Sequence, residues 1–71
     1  MIKCVAIDDE KKALEVISLY IGRIDQLELV ATFTDPVKAS SFLQSTQVDL
    51  LFLDINMQGL NGFELLFVLL G

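Results

Sequence analysis

Val48-Asp-Leu-Leu-Phe-Leu-Asp54 decides how this chain folds. It carries apolar residues at consecutive positions, so both faces of the segment are hydrophobic, and it stops at an acid. A short run of that kind reads as a strand covered on both sides, as in a parallel sheet. The same sentence is written once more, near the start, where Lys3-Cys-Val-Ala-Ile7 is followed by Asp8-Asp9-Glu10. Leu27–Phe33 supplies a third strand between the two.

The segments separating these strands have helical spacing. Leu14, Ile17 and Ile21 share one stripe, with Ala13, Val16 and Tyr20 beside it, while Lys11, Lys12, Glu15 and Ser18 take the other face. Gly22 fits the end of that helix. Thr34-Asp35-Pro36 is a helix start, with Asp35 as N-cap and Pro36 at the first helical position, and the helix runs to about Gln44. Ser45-Thr46-Gln47 is a polar connector into the third strand, Val48–Leu53. Ile55–Asn61 is a loop containing glycine, and a third helix is expected from Gly62 or Phe63. Strand and helix therefore alternate three times, which argues for a parallel sheet with helices on both faces.

At 71 residues there is room for one small domain of marginal stability. A hydrophobic content of 54% is too high for a disordered chain. Ten acids against five scattered bases give a net charge of −5, which argues against direct nucleic-acid binding by this segment. Cys4 is the single cysteine and there is no histidine, so disulfide frameworks, ordinary zinc sites and His-based catalysis are excluded. No apolar run approaches a membrane span and the N-terminus lacks the shape of a signal peptide, so a cytoplasmic location and no membrane contact are expected.

The chemistry sits at strand ends. In a parallel sheet, Asp8-Asp9-Glu10 and Asp54 would face one edge, and ligands of open α/β sheets bind outside the carboxyl ends of strands. If the first and third strands are neighbours, the carboxylates converge. Two like charges about 4 Å apart repel by about 4 kcal/mol at an effective dielectric near 20, so the cluster calls for a cation. Hard oxygen donors without His or Cys select Mg²⁺ or Mn²⁺, which together with a carboxylate nucleophile suits a phosphoryl group. An acid at a strand end can equally cap the following helix. It is the pairing of two such ends on one edge that favours the site.

On these residues the chain resembles the receiver domain of two-component response regulators. The matching stretches are Val5-Ala-Ile-Asp-Asp-Glu10 and Val48-Asp-Leu-Leu-Phe-Leu-Asp-Ile-Asn-Met57, followed by Leu60-Asn-Gly62. Leu27–Phe33 and Asp35–Leu43 are similar to the family's second strand and helix, and the closest flavour is that of receivers attached to LytTR-type DNA-binding domains. The resemblance implies a flavodoxin-like (CheY-like) doubly wound α/β sheet, strand order 2-1-3, ending here after the third helix. It implies Asp54 as phosphoacceptor toward a histidine kinase, with transcriptional control as the output. Mg²⁺ would be held by Asp8, Asp9, Asp54 and the backbone carbonyl of Asn56, while Glu10 supports the loop or opens the first helix. No enzyme activity is implied beyond self-phosphorylation at Asp54 from a phosphodonor. A phosphatase of the haloacid-dehalogenase type wants a second acid two residues after its nucleophile, and position 56 is Asn.

The chain departs from the family in two ways. Gln58 stands where the family usually has Pro, which suggests a looser loop. The family's fourth and fifth strands, with its switch Thr or Ser and its phosphate-binding Lys, are expected to lie beyond Gly71, so residues 1–71 read as a single, incomplete receiver that phosphorylates poorly. Phe63–Gly71 carries Glu64 as its single charge, which suggests burial on more than one side. With no fourth strand beside it, the third would be an open apolar edge. A homo-oligomer through strand 48–53 and helix 63–70 is therefore expected. The rival reading is a half-receiver that is not phosphorylated and works only as a dimerisation or interaction module.

Overall fold

The computed structural model describes residues 1–54 and 65–69. In chain order the elements are β1 (Ile2–Ile7), α1 (Lys11–Ile21), β2 (Leu27–Phe33), α2 (Pro36–Ser45), β3 (Leu50–Asp54) and β4 (Leu65–Leu69). They form a sheet of order β2-β1-β3-β4, in which β1 runs parallel to both β2 and β3. This is the expected 2-1-3 parallel arrangement, with β1 at its centre.

The reason lies in β1. Cys4, Val5 and Ala6 are 0% exposed, as the unbroken apolar run required. Alternation along the strand then divides the core in two. Cys4 and Ala6 join Leu14, Ile17 and Ile21 of α1 and Phe52 of β3 on one face. Val5 and Ile7 join Ala39 of α2, Val48 and Leu51 on the other. Phe33 and Phe42 close the second cluster with ring centroids 5.3 Å apart at 53°. Each helix covers one face, and neither face could be left to water.

Helix ends follow their sequence signals. The Asp35 carboxylate accepts a hydrogen bond from the Val37 N–H at 2.9 Å, and Pro36 opens α2. Glu10 occupies the N-cap of α1 in an extended conformation without a side-chain cap bond. Gly22 ends α1, its N–H reaching the Ser18 carbonyl at 3.0 Å.

The last segment differs from expectation. Leu65–Leu69 lies in β4, antiparallel to β3, with Phe52 opposite Phe67 and Asp54 opposite Leu65. A third helix through residues 63–70 is therefore corrected to a strand over 65–69; its proposed start at Gly62 or Phe63 lies outside the described residues. The physical reason is the edge of β3. A short apolar run fits helix or strand by pattern alone. Bare N–H and C=O groups along an apolar strand are costly, and Leu-Leu-Phe-Val-Leu is rich enough in bulky residues to pair with them. The same pairing corrects the open edge expected at strand 48–53: β4 occupies it, so β3 is interior and offers no edge to another chain. Strand 3 itself begins at Leu50 rather than Val48.

Candidate functional site

The site is built by register. Cys4, Val5, Ala6 and Ile7 of β1 stand beside Leu50, Leu51, Phe52 and Leu53 of β3. One residue further along both strands come Asp8 and Asp54. Neighbouring strands lie about 4.8 Å apart, so the two backbones carry these acids side by side at one sheet edge. Position 54 also shares its parity in the strand with Phe52, and position 8 with Ala6, whose side chains lie in the same core cluster.

Asp49 sets that register, a role the sequence reading did not assign. Its N–H donates to the Lys3 carbonyl at 2.8 Å, and its carboxylate accepts from the Lys3 N–H at 3.0 Å. The residue before β3 is thereby fastened to the start of β1, and the register that carries Asp54 and Asp8 at the opposite ends follows from it. The available signal was an acid inside an otherwise apolar run, Val48-Asp-Leu.

Asp8 is 2% exposed. Its backbone N–H donates to the Phe33 carbonyl at 3.0 Å, joining the end of β1 to the end of β2. Its Oδ1 accepts from the Glu10 N–H at 2.9 Å, a side-chain turn that carries the chain from β1 into α1. Asp8 is thus both a turn former and a buried carboxylate at the edge; the two readings offered for it are compatible. Asp9 follows at a bend and is exposed, and Glu10 serves as the N-cap position of α1. The side chain of Asp54, and Asn56 and Gln58 entirely, lie outside the described residues. Among the described residues no group of three metal-ligating side chains is gathered.

The donor chemistry fits a hard divalent cation. The buried Asp8 carboxylate and the exposed Asp9 beside it follow β1, with the backbone of Asp54 on the adjacent strand, and among the described residues the one thiol, Cys4, lies buried inside the sheet. Burial raises the Cys4 thiol above its ordinary value of 9.0, partly offset by a backbone hydrogen bond from Glu28, with the Asp49 charge adding to the rise. It is an inert core group.

Fold and edge together define a doubly wound α/β module with its acids at the carboxyl ends of adjacent central strands. The chain belongs to the response regulator receiver domain family, whose profile matches residues 4–70. It is 38% identical over 65 residues to the heme response regulator HssR of Staphylococcus epidermidis, covering 92% of this chain and 28% of that protein. It is 40% identical over 60 residues to the transcriptional regulatory protein YpdB of Escherichia coli, covering 84% of this chain and 25% of the relative. Protein MrkE of Klebsiella pneumoniae is 38% identical over 60 residues, 84% of this chain and 22% of its own length. The chain thus spans about a quarter of the length of the curated relatives it matches. No solved structure gives a significant match.

Proposed function

We propose that this receiver accepts a phosphoryl group on Asp54 from a histidine kinase, with Mg²⁺ or Mn²⁺ at Asp8 and Asp9, and that the phosphorylated form controls transcription. The observation that carries the reading is the β1–β3 register, which sets Asp54 one residue past Leu53 and Asp8 one residue past its partner Ile7. A carboxylate oxygen of Asp54 forms the new bond to phosphorus. The bond from phosphorus to the donor imidazole nitrogen breaks, and its electron pair stays on the ring, which leaves neutral because its other nitrogen holds a proton. The cation, held by Asp8, Asp9, Asp54 and the Asn56 carbonyl, would neutralise charge on the phosphoryl oxygens. Asp8 is pre-positioned by its turn to Glu10 and costs little reorganisation on binding. Enzymatic activity beyond this self-phosphorylation is not part of the proposal.

A transcriptional output draws support from YpdB, whose name describes a transcriptional regulatory protein; a LytTR-type output domain is the finer form of that proposal. The cytoplasm is the proposed location, consistent with the absence, among the described residues, of a helix long and apolar enough to cross a membrane.

The test is incubation with Mg²⁺ and acetyl phosphate, or with beryllofluoride, followed by intact mass or ¹⁹F NMR. The reading predicts a Mg²⁺-dependent adduct that Asp54→Asn removes. No adduct at any donor concentration would favour the interaction-module reading. One observation speaks for that alternative: α1 exposes a second apolar stripe, with Val16 48% and Tyr20 59% exposed.

A further inference from the structure

Two acids bracket the apolar run of β3: Asp49 stands just before Leu50-Leu-Phe-Leu53, and Asp54 ends it. Leu50 and Phe52 join the core on the α1 side, Leu51 and Leu53 the core on the α2 side. A strand with one polar face is held in register by its pattern, because a one-residue slip would expose its apolar side. β3 lacks that guard. Shifted by one residue against β1, it would still present leucine or phenylalanine to both faces. Its antiparallel neighbour, Leu65–Leu69, is apolar throughout and adds no polar mark.

The acid edge does not tolerate such freedom. Each residue of slip moves β3 about 3.3 Å along β1, and a slip of one also moves position 54 to the other face of the sheet. A slip of two moves it about 6.6 Å, more than the roughly 4 Å between two oxygens on one Mg²⁺. The polar mark lies at the far end, where Asp49 and Lys3 exchange bonds of 2.8 and 3.0 Å. Any slip breaks both. In one direction it also draws the Asp49 charge into the ladder beside Cys4, which is fully buried.

We propose that Asp49 is a positioning residue for the acid edge. From the opposite end of β3 it selects, among registers that bury the strand comparably, the one that sets Asp54 beside Asp8. The selection concerns the strands alone, and only its consequence for a cation rests on the function proposed above.

Cross-strand nuclear Overhauser contacts read the register directly, and Mn²⁺ titration of the same samples reads the edge. In Asp49→Ala, backbone contacts of Cys4 with Leu50 and of Ile7 with Leu53 should weaken while contacts offset by one or two residues appear. Mn²⁺ binding should fall about two- to fivefold, as molecules leave the competent register. Asp49→Asn, whose amide oxygen can still accept the Lys3 N–H, should retain both pairing and affinity. Asp35→Ala, a cap loss on α2, should change neither. Should the alanine variant not fold, Asp49→Val, a residue suited to strands, repeats the measurement. Unshifted pairing in Asp49→Ala would overturn the proposal, whether or not Mn²⁺ binding weakens. So would an Asp49→Asn protein that slips as far as the alanine variant. If the unaltered chain binds no Mn²⁺, the cation reading fails, and the pairing pattern alone still decides the role of Asp49.

Discussion

Replacing Asp8 by Asn separates the two jobs of this residue. The amide oxygen can still accept the Glu10 N–H, so the turn into α1 survives. What disappears is a buried negative charge beside Asp9 and the end of β3. The expected outcome is a higher melting temperature without metal, about 4–8 °C for each kcal/mol of repulsion relieved in a domain this small. Mg²⁺ affinity should fall by more than the roughly tenfold that loss of an outer-shell partner costs. A lower melting temperature in Asp8→Asn would mean that its charge serves the turn alone. Cys4 gives a second residue-scale expectation. Its folded-state thiol holds its proton above the ordinary 9.0, so the unfolded chain ionises first as pH rises. Stability from this group is fully present below about pH 9 and is lost as pH climbs through the raised folded value, which urea titrations at pH 8 and 10 would show. Thiol reagents should label Cys4 only as fast as the sheet opens.

Among the elements, the strands and helices up to β3 were legible because each is punctuated by local chemistry. Apolar runs end at Asp8 and Asp54, and Asp35-Pro36 opens α2 as read. The segment 65–69 was not, because its conformation is set by pairing with β3 rather than by its own residues. Leu-Leu-Phe-Val-Leu has no cap, no period and no charge to choose between helix and strand, and the edge of β3 chooses for it. The adjacency of the two acid-ended strands was legible in kind, since alternating strands and helices argue for a parallel sheet whose carboxyl ends share one edge. Its register was not, because the Asp49–Lys3 clamp joins residues 46 apart in sequence. Asp49→Ala should cost about 1 kcal/mol of stability, the usual net worth of one hydrogen bond, and should loosen β3 against β1. Hydrogen exchange checks it: amides of β1 and β3 should lose protection together, while α2 keeps its own. Asp35→Ala, by contrast, should cost a similar amount and fray α2 without touching the acid edge.

At the scale of the whole molecule, a sheet with α1 on one face and α2 on the other brings the carboxyl ends of β1 and β3 to one edge. The cation proposed for that edge is one small and hard enough to bridge adjacent strand ends. The plan behind it buries β1 from Cys4 to Ile7 and sets the acids Asp8 and Asp9 just past its carboxyl end.

Whether Asp8, Asp9 and Asp54 serve a single ion is measured most directly by adding Mn²⁺ to ¹⁵N-labelled protein and following paramagnetic broadening of each amide signal. The account predicts that the signals of residues 8, 9 and 54 vanish first and together, that Mg²⁺ restores them, and that Asp54→Asn weakens the effect. Broadening spread over exposed acids such as Glu15, Glu28 and Asp35, with residue 54 spared, would contradict it.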